Sequence, residues 1–245
     1  DVSMGKISCK SFFDRLLDWL YPSICPVCGR ALAPGERTIC VACRWDMPLT
    51  DFWMIAENPV WRLLRERIPT LRQASALFYF RHESGFRAMI HAFKYSGRRD
   101  IAVAMGELFG RELRDSPLYD EVEVLVPVPL HWTKRIGRGF NQAEELCIGM
   151  ARSMGVACDF RSLCRKRKTQ TQALHRDAEA RRRNVEGAFG VRHPERLAGC
   201  HILLVDDVLT TGSTIAACAE AILRAVPDVR ISVATLATAR KSRKK

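Results

Sequence analysis

The stretch ILLVDDVLTTGSTI, residues 202–215, sets two adjacent carboxylates, Asp206 and Asp207, directly behind an uninterrupted apolar run. Apolar residues that run on instead of alternating mark a strand covered on both faces, as in a parallel sheet. HILLVDD (201–207) is therefore expected to be a buried, central strand, and TIAACAEAILRAV, from Thr214, has the small and apolar spacing of a helix. Strand, turn and helix in that order put the aspartates at the carboxyl end of a strand, where open parallel sheets gather ligands. The turn residues Thr210, Thr211, Gly212, Ser213 and Thr214 offer backbone N–H groups, hydroxyls and one flexible glycine at a helix start. That is the equipment for holding a phosphate. The carboxylates call for something else, either sugar hydroxyls or Mg²⁺, which takes one or two carboxylates together with phosphate oxygens. The combination points to a phosphorylated ribose carrying a metal-bound diphosphate. In the plainer alternative, the aspartates cap a turn and Gly212 relieves a bend.

The flanking sequence extends the pattern. Strands are expected at 74–80, 121–129 and 230–238, with a further one in VACDFRSLC (156–164). Helices are expected at 85–97, 101–113 and 141–154, the last with Asn141 as N-cap, Glu144 completing a capping box and Gly155 at its end. Strands alternating with helices over this span predict an α/β fold with a mostly parallel sheet flanked by helices. A short amphipathic helix is expected at 11–20, ended by Pro22. The expected organisation is an N-terminal unit at 1–50, a connector at 51–73 and the α/β domain at 74–245.

Four cysteines stand as CPVC (25–28) and CVAC (40–43), a spacing that can bring Cys25, Cys28, Cys40 and Cys43 into one tetrahedral zinc site. A closed four-thiolate site leaves no place for a substrate, so its role should be structural, and so small a unit takes its folding energy from the metal. The other cysteines read as small apolar residues in a reducing compartment. No secretory leader is expected, and no apolar run approaches the roughly 18–20 residues of a membrane span, so a cytoplasmic protein without membrane insertion is expected. The chain has 39 Lys+Arg against 27 Asp+Glu, a net charge of +12. That suits either a solvated basic surface or attraction to phosphate on a nucleotide sugar or a nucleic acid. Arg30, Arg37, Arg44 and Trp45 give the ribbon a nucleic-acid surface, or else Trp45 packs on the next domain.

With these segments on the page, the chain resembles a known family. ILLVDDVLTTGST (202–214) is similar to the phosphoribosyl-diphosphate (PRPP) signature of type I phosphoribosyltransferases. CPVCG…CVAC, HAFKYSGRRDIA (91–102), VPVPLHWTKRIGRGFNQAEELC (126–147) and KTQTQALHRDAEARRRNVEGAF (168–189) resemble, in order, the ComF family of bacterial proteins associated with DNA uptake in natural transformation. The resemblance implies a type I phosphoribosyltransferase-like sheet with a small N-terminal zinc ribbon. It implies that Asp206 and Asp207 contact the ribose hydroxyls and the metal environment, making them the candidate catalytic pair. Thr210, Thr211, Gly212, Ser213 and Thr214 would cradle the 5-phosphate. Leu130 and His131 resemble the diphosphate loop, with Lys134 and Arg135 just beyond it able to neutralise diphosphate or simply to be solvated. The segment with Lys168, Thr169, Gln170, Gln172 and Arg176 resembles a mobile loop that closes over PRPP. Arg165, Lys166, Arg167 and Lys168 are alternatively candidates for contact with single-stranded DNA. The implied cofactors are structural Zn²⁺ and PRPP-bound Mg²⁺, and the implied partners are PRPP, single-stranded DNA, and the competence helicase and recombination machinery. Two readings stay open: phosphoribosyl transfer to an unidentified acceptor, or a non-catalytic DNA binder regulated by PRPP.

Overall fold

The computed structural model describes residues 23–80, 84–130, 139–166 and 187–239. Five strands form one parallel sheet: β1 (Leu71–Phe80), β2 (Val124–Pro127), β3 (Ala157–Cys158), β6 (His201–Leu209) and β7 (Arg230–Ala239). Their order across the sheet is β1-β7-β6-β2-β3. β4 (Leu163–Arg165) and β5 (Phe189–Val191) pair antiparallel as a separate ribbon. The helices are α1 (Val41–Trp45), α2 (Pro59–Arg65), α3 (Gly85–Tyr95), α4 (Arg99–Arg114), α5 (Gln142–Met154) and α6 (Ser213–Ala225). None of the described helices is long and apolar enough to cross a membrane.

Strand alternation explains the two covered faces. Leu125 and Leu203 pack with Phe93, Phe109 and Met150 of α3, α4 and α5, whereas the adjacent Val126 and Leu204 pack with Leu64 of α2 and Ile215 and Ile222 of α6. Each such buried apolar side chain contributes about 1.5–3 kcal/mol. The expected α/β class is therefore the observed one, and the unbroken ILLV run is what a doubly covered strand requires.

Several boundaries differ from the sequence expectation for identifiable reasons. β1 starts at Leu71, because Leu71 already pairs with Ile231. The run 156–164 is not one strand: Ala157–Cys158 pairs with β2, Asp159 then turns the chain by accepting the N–H groups of Arg161 (2.8 Å) and Ser162 (2.7 Å), and Leu163 enters the separate ribbon. Segment 51–73, expected as a connector, is built into the core. Trp53 joins the cluster under α4, Phe52, Val60 and Leu64 join the opposite one, and buried Asn58 caps α2 by accepting the N–H groups of Val60 and Trp61. Just before this stretch, residues 48–50 pair with β1 (Thr50 N–H to Leu77 O, 3.1 Å; Tyr79 N–H to Pro48 O, 2.9 Å), which covers an otherwise open sheet edge. Asn141 caps α5 as expected by accepting the Ala143 N–H at 3.2 Å, and its amide also donates to Val128 O at 3.1 Å, tying the helix to the end of β2. Cys147 and Cys218 are fully buried as apolar residues should be, but Cys158, Cys164 and Cys200 are only partly so. The expected helix at 11–20 lies outside the described residues.

The topology selects one place for a ligand. From β2 the chain proceeds to β3 on one side, and it later returns to β6 on the other side. Their connections diverge there, opening a crevice at the carboxyl ends of β2 and β6.

Candidate functional site

Asp206 and Asp207 stand above that crevice. β2 stops pairing at Pro127, opposite Val205, with one further bond from the Val128 N–H to Val205 O (2.8 Å). β6 does not end at Asp207 as expected: it runs on to Leu209, held by β7 through Asp206–Thr235, Val208–Ala237 and Leu209–Thr238. The carboxylates are thus mounted on a rigid strand that has lost one neighbour.

Adjacent strand residues point to opposite sides, and this separates the two charges. Asp207 ion-pairs with Lys94 of α3 at 2.7 Å, both side chains being largely buried. Asp206 lies toward α6, where its charge is felt by the buried Cys218 thiol. Asp206 Oδ1 accepts the Asp207 N–H at 2.8 Å. Burial, and next the neighbouring Asp207 charge, push the Asp206 carboxyl up to about 7, against the opposing pull of that N–H and of Lys94. A site that raises a carboxyl this way gains when a cation or a set of sugar hydroxyls enters it.

The loop that starts at Thr210 follows the end of β6. Gly212 has φ +73° and precedes α6, which starts at Ser213 without a side-chain cap. The left-handed backbone favours glycine at 212, and a Cβ there would stand 2.6 Å from Leu64 Cδ2, so the leucine methyl would have to shift. Thr211 Oγ1 and Ser213 Oγ lie 3.0 Å apart, and Arg67 Nη1 donates to Ser213 Oγ at 3.0 Å. The loop therefore combines uncapped helix N–H groups, paired hydroxyls and a guanidinium, all suited to an anion.

Sequence reasoning missed both cations. Lys94 sits inside the quoted segment HAFKYSGRRDIA, where helical spacing gave no reason to single it out. Arg67 comes from the stretch read as a connector, so only the packing of α2 on the loop could reveal it.

On the other side of the crevice, Leu130 follows β2 and helps line a cavity of about 800 Å³ together with Arg165 and Lys166. Arg165 Cζ lies 5.2 Å from the Phe189 ring centroid, and burial lowers the pKa of its guanidinium. His131, Lys134, Arg135, Arg167, Lys168, Thr169, Gln170, Gln172 and Arg176 lie outside the described residues.

The cysteine unit is compact. The Sγ atoms of Cys25, Cys28, Cys40 and Cys43 all lie within 4.8 Å of one another, and Cys28 Sγ is 3.7 Å from Cys40 Sγ. Zinc–sulfur bonds of about 2.3 Å put the sulfurs of a tetrahedron about 3.8 Å apart, so the spacing fits a structural zinc. The Cys40 N–H donates to Cys25 Sγ and the Cys43 N–H to Cys40 Sγ, both at 3.5 Å, a supporting shell suited to thiolates. Arg30, donating to Cys28 Sγ at 3.5 Å, holds that thiol down at about 6. Burial raises the Cys43 thiol above its ordinary range. Trp45 does not pack on the next domain: it is 88% exposed. The ribbon instead meets α3 through Val27, whose carbonyl oxygen would lie 2.2 Å from any Cβ at Gly85. Among the described residues, these cysteines form the one group of three or more His, Cys, Asp or Glu side chains spaced for a metal ion.

Comparison with known proteins reproduces this division. A family model described as a double zinc ribbon domain matches residues 16–52, and one described as a phosphoribosyl transferase domain matches residues 143–245. The chain is 34% identical over 204 residues to the DNA utilization protein YhgH of Salmonella typhimurium (strain LT2), covering 82% of this chain and 84% of that one. It is 25% identical over 233 residues to the competence protein ComFC of Bacillus subtilis (strain 168), covering 94% and 82% respectively. Among solved structures it is similar to the glutamine PRPP amidotransferase from B. subtilis, with a TM-score of 0.41, 18% identity, and coverage of 60% of this chain and 30% of that one. Ribbon, parallel sheet and near-full-length relatives agree: the chain belongs to the ComF/YhgH family, with an N-terminal zinc ribbon and a domain of phosphoribosyltransferase fold.

Proposed function

We propose that the crevice between β2 and β6 binds PRPP with Mg²⁺, and that the protein serves DNA uptake or utilization, as the names of its relatives indicate for them. The observation that carries the reading is the side-by-side placement of a carboxyl pushed up to about 7 on β6 and an uncapped helix start with Ser213 and Arg67. An anion-holding loop that starts at Thr210, three residues after Asp207, makes with the carboxylate pair a site that fits a sugar phosphate better than either half alone. Thr210, Thr211, Gly212, Ser213 and Thr214 hold the 5-phosphate, and Asp206 and Asp207 orient the ribose hydroxyls. Mg²⁺, when bound, would neutralise diphosphate, and Leu130, His131, Lys134 and Arg135 are the candidate diphosphate-binding residues. Cys25, Cys28, Cys40 and Cys43 bind zinc and keep the ribbon folded.

Phosphoribosyl transfer is the chemistry this equipment suits. Displacement at C1 of the sugar needs a held 5-phosphate, a fixed ribose and a stabilised leaving group, and the residues named supply each. Closure by the segment containing Lys168, Thr169, Gln170, Gln172 and Arg176 would exclude water from that step. A second reading, single-stranded DNA binding regulated by PRPP, is favoured by the exposed Trp45 beside Arg44, an aromatic and a cation set for a base and its phosphate. Arg165, Lys166, Arg167 and Lys168 are further candidates for contact with the strand.

The test is equilibrium binding of PRPP, with Mg²⁺ and with chelator, to wild type and to Asp207→Asn and Asp206→Asn. Tight binding only to wild type with Mg²⁺ supports the site, and equal affinities sink it. Diphosphate release across a panel of bases, amines and DNA ends then separates transferase from sensor. A salt titration of DNA binding to Trp45→Ala tests the second reading.

A further inference from the structure

The cavity beside Leu130 has a composition that PRPP does not use up. Its wall includes Phe160 and Arg161 from the loop before β4, Arg165 and Lys166 from β4 and its end, and Arg192 after β5, with Glu144 of α5 the one carboxylate among its described lining residues. Cations just outside it are neutralised: Arg196 pairs with Asp159 at 2.8 Å, and Arg99 lies 3.6 Å from Glu145. The four inside have no ion pair among the described residues. Phe160 remains 45% exposed on the same wall. Arg165 is partly desolvated without a carboxylate beside it, a state that an incoming anion relieves.

We propose that this cavity binds a nucleotide residue, a planar base carrying phosphate, on the β4 side of the crevice; its position facing PRPP rests on the function proposed above. The charge count selects the anion. Four cations face one carboxylate, Glu144, an excess that a ligand carboxylate of charge −1 leaves largely uncompensated, whereas a phosphate monoester carries about −1.5 to −2 at neutral pH. The walls select the ring, since Phe160 and the guanidinium planes of the arginines offer stacking surfaces to a base of any sequence. The size selects the whole unit: about 800 Å³ is too large for phosphate alone and falls within the range of pockets that enclose ligands of nucleotide size. A free nucleoside monophosphate brings that charge as one monoester, whereas a nucleotide within a single strand brings it as the two phosphodiesters flanking the base, each carrying −1.

Zinc-loaded full-length protein should be titrated with nucleoside 5′-monophosphates, with a short single-stranded oligonucleotide and with inorganic phosphate, Mg–PRPP being run in parallel. Wild type, Phe160→Ala and Arg192→Gln lie on different segments, so a folding defect common to both substitutions is not expected. Each substitution should weaken nucleotide binding about tenfold, the size of one lost stack or charge-assisted contact, and leave Mg–PRPP affinity within about twofold. Monophosphate binding identifies a free nucleotide, and binding confined to the oligonucleotide identifies a residue of a strand; either supports the proposal. Absence of both, inorganic phosphate binding as tightly as nucleotide, or indifference to both substitutions overturns it. Loss of Mg–PRPP binding in the same variants also overturns it, by assigning the cations to PRPP's diphosphate. If wild type ignores PRPP while nucleotide binding keeps its sensitivity to the substitutions, the PRPP reading fails and the nucleotide cavity stands.

Discussion

Asp206→Asn should make the ligand-free protein more stable while removing the proposed PRPP site. In the folded chain, burial and Asp207 push the Asp206 carboxyl from the ordinary 3.8 up to about 7. At about 1.4 kcal/mol per pH unit, the full penalty above pH 7 approaches about 4 kcal/mol, and local relaxation makes about 2–4 kcal/mol the expected range. Asparagine keeps the side-chain shape and an oxygen to accept the Asp207 N–H, but carries no charge to desolvate. The sign follows from proton binding. The folded state holds the Asp206 proton more tightly than the unfolded state, so wild-type stability falls as pH rises from about 4 to about 7 and is then level. The variant lacks that decline. Thermal melting of both proteins in the same zinc-containing buffers should place the variant about 4–12 °C higher at pH 8, with the gap shrinking as pH is lowered to 5. A variant that melts at or below wild type at pH 8, or a gap independent of pH, would refute the reasoning. A functional group held at a cost in stability is the expected signature of a binding site.

Lys94→Met leaves Asp207 largely buried without its 2.7 Å partner and should cost about 1–3 kcal/mol in urea unfolding; an unchanged midpoint would mean that the pair is replaced by water. Gly85→Val drives a side chain into the Val27 carbonyl and should undock the ribbon, seen as faster amide exchange over 23–47 with zinc content unchanged. Gly212→Ala combines a left-handed φ with a 2.6 Å approach to Leu64 and should cost about 1–2 kcal/mol while weakening PRPP binding. Metal analysis should find one zinc per chain, falling toward zero in Cys43→Ser, with chelation abolishing amide protection in the ribbon before the parallel sheet is affected.

The fold was legible wherever local pattern and burial agree. HILLV is unbroken because both faces of β6 are covered, and Asn141 announces α5 because a cap acts within two residues. The cysteine spacing was equally local, since metal geometry constrains near neighbours in the chain. Legibility failed where distant segments meet. Nothing around Lys94 marks it as the partner of Asp207, and nothing in 51–73 reveals that Leu64 and Arg67 pack against Gly212 and Ser213. The two aspartates read as one acidic pair, yet strand alternation sends them toward different helices and gives them different partners.

Hydrogen exchange across residues 201–215, with and without Mg–PRPP, tests the central claim most directly. The account predicts slowed exchange confined to the end of β6, the 210–214 loop and the first turn of α6, dependent on Mg²⁺ and lost in Asp206→Asn. Protection located elsewhere, or the same protection in the variant, would contradict it.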